Sequence, residues 1–484
     1  MANQFFAFSP YDFYGIQIEH SPPLEKEENE EIKTEKRVTE NSQLAQHLQS
    51  RQNTTKNPSD NSAEGEAKLD IQRLSAEDII RLAGETYIHL SSQKNGAQFV
   101  MNYPSDFAMF DFSTEVTHDV QLALSLLSAA EKVGKQQFEQ ARRWLDICNR
   151  TSSDTGNAVQ RVVFYFVEAL RGRIDQKRHF SSLESLNQQL TTSFHHKEVP
   201  ITQIMLFTAM QSMIQNLESA KKVHLIDIEI RCGALWPILM QALKARPNCP
   251  IELFKVTALG LNKNGREKME ETSEMLSTFA NSLNLPFSYQ VLIVPDMEEL
   301  KEKLFDIEDN ETVVVFSSLV LTTMLTRTKS LESLLRVLRK LNPDIMVVIE
   351  VEANLNSRDF VNRFIEALFY YTAYFDALET CLERDNQNRM ITESLHLQEG
   401  IRNIVASEGD KRVVRHVKLD VWRAFFARFG MVEIELTEQS FSQVKSILKK
   451  FVCGDFCSVN KNVKSVVVGW KGTPIVSISS WKFS

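Results

Sequence analysis

Residues 223–243, VHLIDIEIRCGALWPILMQAL, decide how the rest of the chain is read. Val223, Leu225, Ile226 and Ile228 form a short apolar run of the kind a strand buried on both faces shows. Pro237 suits the first turn of a helix, where an N–H would have no helical partner in any case. The stretch therefore predicts strand, loop and helix, the junction that opens many nucleotide-binding sheets. A phosphate or cofactor bound at such a junction meets backbone N–H groups only where no side chain intervenes. Here Gly233 is the only glycine between Asp227 and Trp236, and Glu229 and Arg231 stand where a cofactor loop is usually bare.

Downstream the pattern alternates. Strand-like runs at 223–228, 251–257, 288–294, 311–316 and 345–351 are interleaved with helical segments at 264–283, 319–341 and 357–380, which predicts a parallel sheet wound with helices. A helical stretch at 418–429, a strand at 431–436 and a helix at 440–451 follow. The chain ends in KSVVVGWKGTPIVSISSWKFS, two strand-like runs around a turn at Lys471–Pro474 that predict an antiparallel hairpin. A mostly parallel α/β sheet ending in such a hairpin is the Rossmann-like organisation of class I methyltransferases, so methyl transfer is one reading to weigh. Its usual signs are weak here, because the first loop has one glycine and the second strand, IELFKVTALG, carries no carboxylate for a ribose.

Upstream of residue 222 the chain is expected to be almost entirely helical. Residues 1–70 are an expected disordered arm with an aromatic head (Phe5, Phe6, Phe8, Tyr11, Phe13, Tyr14), a Glu/Lys run and a polar tract. A helical lead-in at 71–110 begins with Ser75 as N-cap and with Glu77 and Asp78 in the first turn. Helices at 115–149 and 157–175 repeat apolar residues at helical spacing, as in Val120, Leu124, Leu127 and Ala130, or Val162, Phe166 and Leu170. A helical cap over about 111–215 and an α/β core over about 216–484 complete the expected organisation.

At 484 residues, 43% hydrophobic and 24% charged, the composition is that of a globular chain, with no apolar run long enough to suggest a membrane passage. Six scattered cysteines suggest reduced thiols; only Cys453 and Cys457 are neighbours, and CGDFC lacks the second ligand pair that a structural zinc site needs. A net charge of −8 argues against binding nucleic acid by bulk electrostatics. The distribution is uneven: residues 401–484 hold fourteen Lys and Arg against seven Asp and Glu. Arg402, Arg412, Arg415 and His416 form the most basic short cluster, either bridging to Glu408 and Asp410 or available to a partner or to phosphates.

Other candidates have a structural reading beside the functional one. His224 is a buried, hydrogen-bonded histidine or a base; Asp227 is a loop cap or a ligand-side acid. Glu350 and Glu352 share a strand face, where they accept bonds from loops or act as a carboxylate pair. LESLL at 331–335 matches a partner-helix pattern, and equally a helix packing its leucines on a sheet.

The blocks in their order resemble the GRAS family of plant regulators over about residues 115–484. VHLID at 223–227 looks like the family's VHIID motif, followed by Gly233 and the Trp236–Pro237 pair. LPFSYQV at 285–291, RFIEALFYYTAYFDALE at 363–379 and IRNIVASEGDKRVVRH at 401–416 are similar to its PFYRE region. WRAFFARFG from Trp422, VGW ending at Trp470 and SSWKFS containing Trp481 resemble its SAW region. Leu225 stands where the family has isoleucine, and the arm shows no DELLA sequence. The resemblance implies a nuclear, non-enzymatic transcriptional regulator without cofactor or metal. It also implies a methyltransferase-like core under a helical cap, and pairing with GRAS proteins or with zinc-finger and other DNA-binding factors. Direct sequence-specific DNA binding and S-adenosylmethionine-dependent methyl transfer are the alternatives.

Overall fold

Ser75 and Asp78 lock the start of the first helix reciprocally: the Asp78 amide donates to Ser75 Oγ at 3.3 Å and the Ser75 amide to Asp78 Oδ2 at 3.1 Å. The computed structural model describes residues 74–92, 113–176, 199–230, 233–261 and 265–484, all within one compact unit. The aromatic head and the rest of the expected arm, together with Arg231, lie outside the described residues. Helix α1 (Ala76–Ser92) is followed by α2 (Thr114–Gly134), α3 (Phe138–Thr151), α4 (Ala158–Ile174) and α5 (Pro200–Asn216). Side-chain caps start α2 at Ser113 and α4 at Asn157, where Gln160 completes a capping box. Val120, Leu124, Leu127 and Ala130, the stripe seen in the sequence, are all buried.

The sheet begins with β1 (Lys222–Ile228), β2 (Leu253–Gly260), β3 (Phe287–Ile293), β4 (Thr312–Ser318) and β5 (Ile345–Val351), all parallel. They are joined through α6 (Trp236–Lys244), α7 (Arg266–Ser282) and α8 (Thr328–Leu341). The order is β3-β2-β1-β4-β5, continued by three antiparallel strands, β9 (Thr473–Phe483), β8 (Ser465–Trp470) and β7 (Cys457–Asn462). β9 pairs with β5 from Met346↔Trp481 to Val351↔Val476. On its other edge it pairs first with β8 and then with β6 (Met431–Ile434). This is the expected methyltransferase-like sheet, with its terminal hairpin widened by β7 and β6. β7 escaped the sequence reading because CSVNKN turns apolar residues inward only in its first half, Cys457 and Val459, and ends in three polar residues.

One face of the sheet packs on α8 and α12 (Leu419–Ala427), where Ile226, Val315, Met346 and Trp481 meet Leu331, Leu334, Leu335, Trp422 and Phe426. The leucines of LESLL are thus fully buried core residues. The helix expected at 319–341 is broken after a single turn at Leu321–Met324. Thr323 Oγ1 donates to the Val320 carbonyl at 2.7 Å and Thr326 Oγ1 to the Thr323 carbonyl at 3.3 Å, competing with helical continuation. The opposite face carries α5, which packs against β5, β8 and β9 and hydrogen-bonds Ser480 through Ser212.

Helix α9 (Phe360–Cys381) is buried on almost every side and links the helical layer to the sheet. Near its end, Asp376 accepts from the Ala76 amide at 3.0 Å and from Trp470 Nε1 at 2.7 Å, and pairs with Lys471 Nζ at 2.8 Å. One carboxylate thereby ties α1 to the end of β8 and the turn that follows it. Beyond α9, α10 (Gln387–Ile391) runs through a π-helical turn at Thr392–Leu397 into α11 (Gln398–Val405), and α13 (Glu438–Leu448) precedes β7.

Candidate functional site

In open α/β sheets ligands settle outside the carboxyl ends of the strands where the strand order reverses, here between β1 and β4. Trp236 occupies that place. Its indole is 1% exposed, meets the Phe316 ring of β4 edge-on at 5.1 Å, and donates from Nε1 to Asp227 Oδ2 at the end of β1 at 2.9 Å. Glu229 closes the neighbouring gap between β1 and β2. Its amide donates to the Leu259 carbonyl at 2.6 Å, and its carboxylate accepts from the Leu261 amide at 2.7 Å. A side chain of the protein thus takes the backbone donor at the end of β2 that a ligand would otherwise approach.

Gly233 has φ +60, and a Cβ there would stand 2.7 Å from Thr272 Cγ2 of α7. The glycine is required by close approach of the loop to a helix. Val223, Leu225 and Ile226 are fully buried in the sheet, and Pro237 sits in the first turn of α6 as its ring predicts.

His224 lies toward the other end of β1 and is wholly buried. Its Nδ1 is 2.9 Å from Glu311 Oε2 and its Nε2 is 2.8 Å from Thr257 Oγ1. Burial lowers its pKa against the pull of Glu311. Both ring nitrogens are engaged, which is the hydrogen-bonded reading of this residue. Glu350 accepts from the Thr322 amide at 3.3 Å, and Glu352 from the Leu419 amide at 2.9 Å. The pair holds the loops that cross the end of β5, and burial raises the pKa of Glu352.

The basic cluster divides on folding. His416 is buried, its Nδ1 is 3.2 Å from Thr322 Oγ1, and burial pushes its pKa down to about 3. Arg412 is 4% exposed, and burial lowers its pKa to about 10. Neither presents a cation to solvent. Arg402 pairs with Glu168 of α4 at 3.2 Å, and Arg415 donates to the Gly409 carbonyl at 2.9 Å. The three SAW-region tryptophans are core residues. Trp422 stacks on Phe426 with centroids 5.7 Å apart, Phe426 meets Trp481 at 4.9 Å, and Trp470 binds Asp376.

The two histidines carry a pH consequence. A lowered folded-state pKa means that, below the ordinary value of 6.5, the unfolded chain binds a proton the folded chain refuses, so stability falls as pH falls. Wild-type stability, read by urea titration at pH 7.5 and 5.5, is expected to drop about 1.4 kcal/mol more than that of His416→Gln. Equal drops would show that His416 ionises normally in the fold.

Sequence reasoning missed every partner lying far along the chain. Glu311, the partner of His224, is 87 residues away. Cys381 Sγ lies 2.7 Å from Cys453 Sγ, a closer neighbour than the sequence-adjacent Cys457 suggests, and the five described cysteines are free thiols. Among the described residues no group of three His, Cys, Asp or Glu is placed to hold a metal ion, and no helix is long and apolar enough to cross a membrane.

The GRAS domain family model matches residues 122–482. The chain is 30% identical over 368 residues to the DELLA protein GAI1 of Vitis vinifera, a match covering 75% of this chain and 62% of that protein. It is 31% identical over 368 residues to the DELLA protein RGL1 of Arabidopsis thaliana, covering 75% of this chain and 70% of the relative. The chain thus spans under two thirds of the length of the grapevine relative. The crystal structure of SCL7 in Oryza sativa superposes with a TM-score of 0.68 at 25% identity, covering 75% of this chain and 99% of that one.

Proposed function

The chain belongs to the GRAS domain family of plant regulators, and from that premise we propose that it is a nuclear, non-enzymatic transcriptional regulator working through protein contacts. The partners in this reading are other GRAS proteins and zinc-finger or other DNA-binding factors. The observation that carries the non-enzymatic part is the filled crevice. Trp236 and Glu229 use the space and the backbone donor that a methyltransferase leaves to its cofactor. The protein-contact part is supported by the burial of Arg412 and His416, which leaves this cluster short of the free cations that a phosphate backbone needs.

Calorimetric titration of the full chain with S-adenosylmethionine is expected to give no saturable heat, whereas micromolar binding abolished by Asp227→Ala would overturn the reading. Affinity purification from nuclei is expected to recover a DNA-binding factor. Direct capture of a DNA duplex by the purified chain, with affinity falling steeply as salt rises, would replace co-regulation by direct DNA binding.

A further inference from the structure

Three cysteines gather where the end of α9 meets the connection between α13 and β7. Cys381 is the last residue of α9, whose final turn is closed by the Leu382 amide donating to the Leu378 carbonyl at 3.0 Å. Cys453 lies in the turn that follows α13, and Cys457 opens β7. That turn is fixed around Cys453. The Gly454 amide donates to the Phe451 carbonyl at 3.1 Å and the Phe456 amide to the Cys453 carbonyl at 3.2 Å, and a Cβ at Gly454 would collide with the Leu448 carbonyl. The Lys471 amide donates to the Phe456 carbonyl at 2.8 Å, which seats the same turn on the end of β8.

The Sγ atoms of Cys381 and Cys453 are 2.7 Å apart. Non-bonded carbon atoms pack at about 3.5–4.0 Å and sulfur is larger, whereas a disulfide bond is only about 0.7 Å shorter than this separation. The two residues are 72 positions apart in sequence, so the fold alone supplies the proximity. Access to them is unequal. Cys381 is partly exposed and Val452, beside Cys453, is wholly exposed, whereas Cys453 and Cys457 are buried. A reagent arriving from solvent therefore meets Cys381 first, with Cys453 already in place behind it. Burial, and then the contact with Cys453, raises the Cys381 thiol pKa, and burial pushes that of Cys457 up to about 12. Exchange at neutral pH then runs through a small thiolate fraction, which suits a response to a sustained change in redox poise and not to a brief pulse.

We propose that Cys381 is a site of oxidative modification by a small aliphatic disulfide, with Cys453 as the resolving thiol and an internal Cys381–Cys453 disulfide as the product. The Cys381 thiolate attacks one sulfur of the reagent, forming a mixed disulfide and releasing one small thiol. The Cys453 sulfur then attacks the Cys381 sulfur, breaks the mixed disulfide and expels the second small thiol. Two protein thiols are oxidised, one small disulfide is reduced to two thiols, and the two protons lost by the cysteines end on those thiols. The new bond clamps the end of α9 to the turn before β7 and closes a loop that contains α10 to α13 and β6. Asp376, just upstream on α9, already joins that helix to α1 and β8, so oxidation makes covalent a junction the fold holds by hydrogen bonds and an ion pair. The site is independent of the regulatory reading and stands or falls separately from it.

The test equilibrates the full chain with oxidised and reduced glutathione over a range of ratios, blocks the remaining thiols by alkylation and maps the linkages by peptide mass spectrometry. As the oxidised share rises, Cys381 and Cys453 are expected to lose alkylation together and to appear as one linked peptide pair. Cys453→Ser removes the resolving thiol and should trap one glutathione on Cys381, whereas Cys457→Ser should form the internal disulfide as wild type does. The oxidised wild type should unfold at a higher urea concentration than the reduced one, because the cross-link restricts the unfolded chain, and Cys381→Ser should show no such shift. The wild-type map needs no variant, so the test remains decisive if Cys453→Ser fails to fold. Thiols that all stay open to alkylation at the highest oxidised share would overturn the proposal. So would a glutathione adduct that persists on wild-type Cys381, a linkage through any other cysteine pair, or an oxidised chain no more stable than the reduced one.

Discussion

Trp236→Ala is expected to destabilise the fold by about 3–5 kcal/mol, the range for deleting a wholly buried large aromatic side chain. The indole is packed against Phe316 and is hydrogen-bonded to Asp227, so the substitution removes both an apolar volume and a buried donor. Trp236→Phe separates the two terms. It keeps much of the ring against Phe316 and loses the Nε1 donor, at an expected cost of about 1–3 kcal/mol. The readout is the shift of the urea midpoint at unchanged slope, since an altered slope would mean a changed denatured or native ensemble. If Trp236→Ala costs less than about 1 kcal/mol, the crevice collapses easily around the loss, and the indole is not what fills it.

That same residue shows what was legible in the sequence and what was not. Trp236 and Pro237 mark the start of α6, and the run from Val223 to Ile228 marks β1, because strand burial and helix initiation are local properties. β1, β2, β4 and β5 were readable for the same reason, being largely apolar runs buried in the sheet, and β3 by the alternation of FSYQVLI at the sheet edge, where its residues are only partly buried. What Trp236 touches was not readable, since Phe316 is brought beside it only by the order of strands β1 and β4. The shortage of glycines after β1 did carry a message. It left room for the side chain of Glu229 at the place where a cofactor loop would be bare, although its bond to Leu261 is visible only in three dimensions.

The basic cluster shows the reverse failure. Arg412 and His416 look like surface charge in a linear reading, and no periodicity distinguishes them from Arg402 and Arg415. Burial separates them, and burial depends on α4 and α9, whose contributing residues Arg173 and Arg363 lie far upstream. Helices α10 and α11 were similarly hidden. Met390, Ile391 and Leu395 are exposed there, so apolar residues do not trace a single buried stripe.

Glu393→Ala is expected to cost about 3–5 kcal/mol, because it strands charge that the fold buries as a set. Arg161 of α4 is fully buried and grips Glu393 with both prongs, Nε to Oε2 at 2.8 Å and Nη2 to Oε1 at 3.1 Å. Its Nη2 also reaches Glu379 at 2.8 Å, and Arg389 approaches Glu379 at 3.2 Å and Glu393 at 3.4 Å. Two arginines and two glutamates thus pin α4 to the end of α9 and the turn between α10 and α11. Removing Glu393 leaves two buried guanidiniums sharing Glu379.

The intact set need not be a large net gain. Burial raises the Glu393 pKa despite the attraction of Arg161 and Arg389. For an acid, a raised folded-state pKa means that its contribution to stability declines as pH rises through that pKa. The lost hydration is therefore not fully offset by the pairing, and replacing both partners with apolar residues should cost far less than replacing one. Arg161→Met with Glu393→Leu is expected to recover at least half of the loss seen in either single variant, a coupling of about 4 kcal/mol or more. Hydrogen exchange adds a spatial readout: in Glu393→Ala, amides of α4 and α11 should lose protection before those of β1, β4 and β5. Additive losses in the double variant, with protection falling equally across the sheet, would mean that the network supports the core itself and not the attachment of the helical layer.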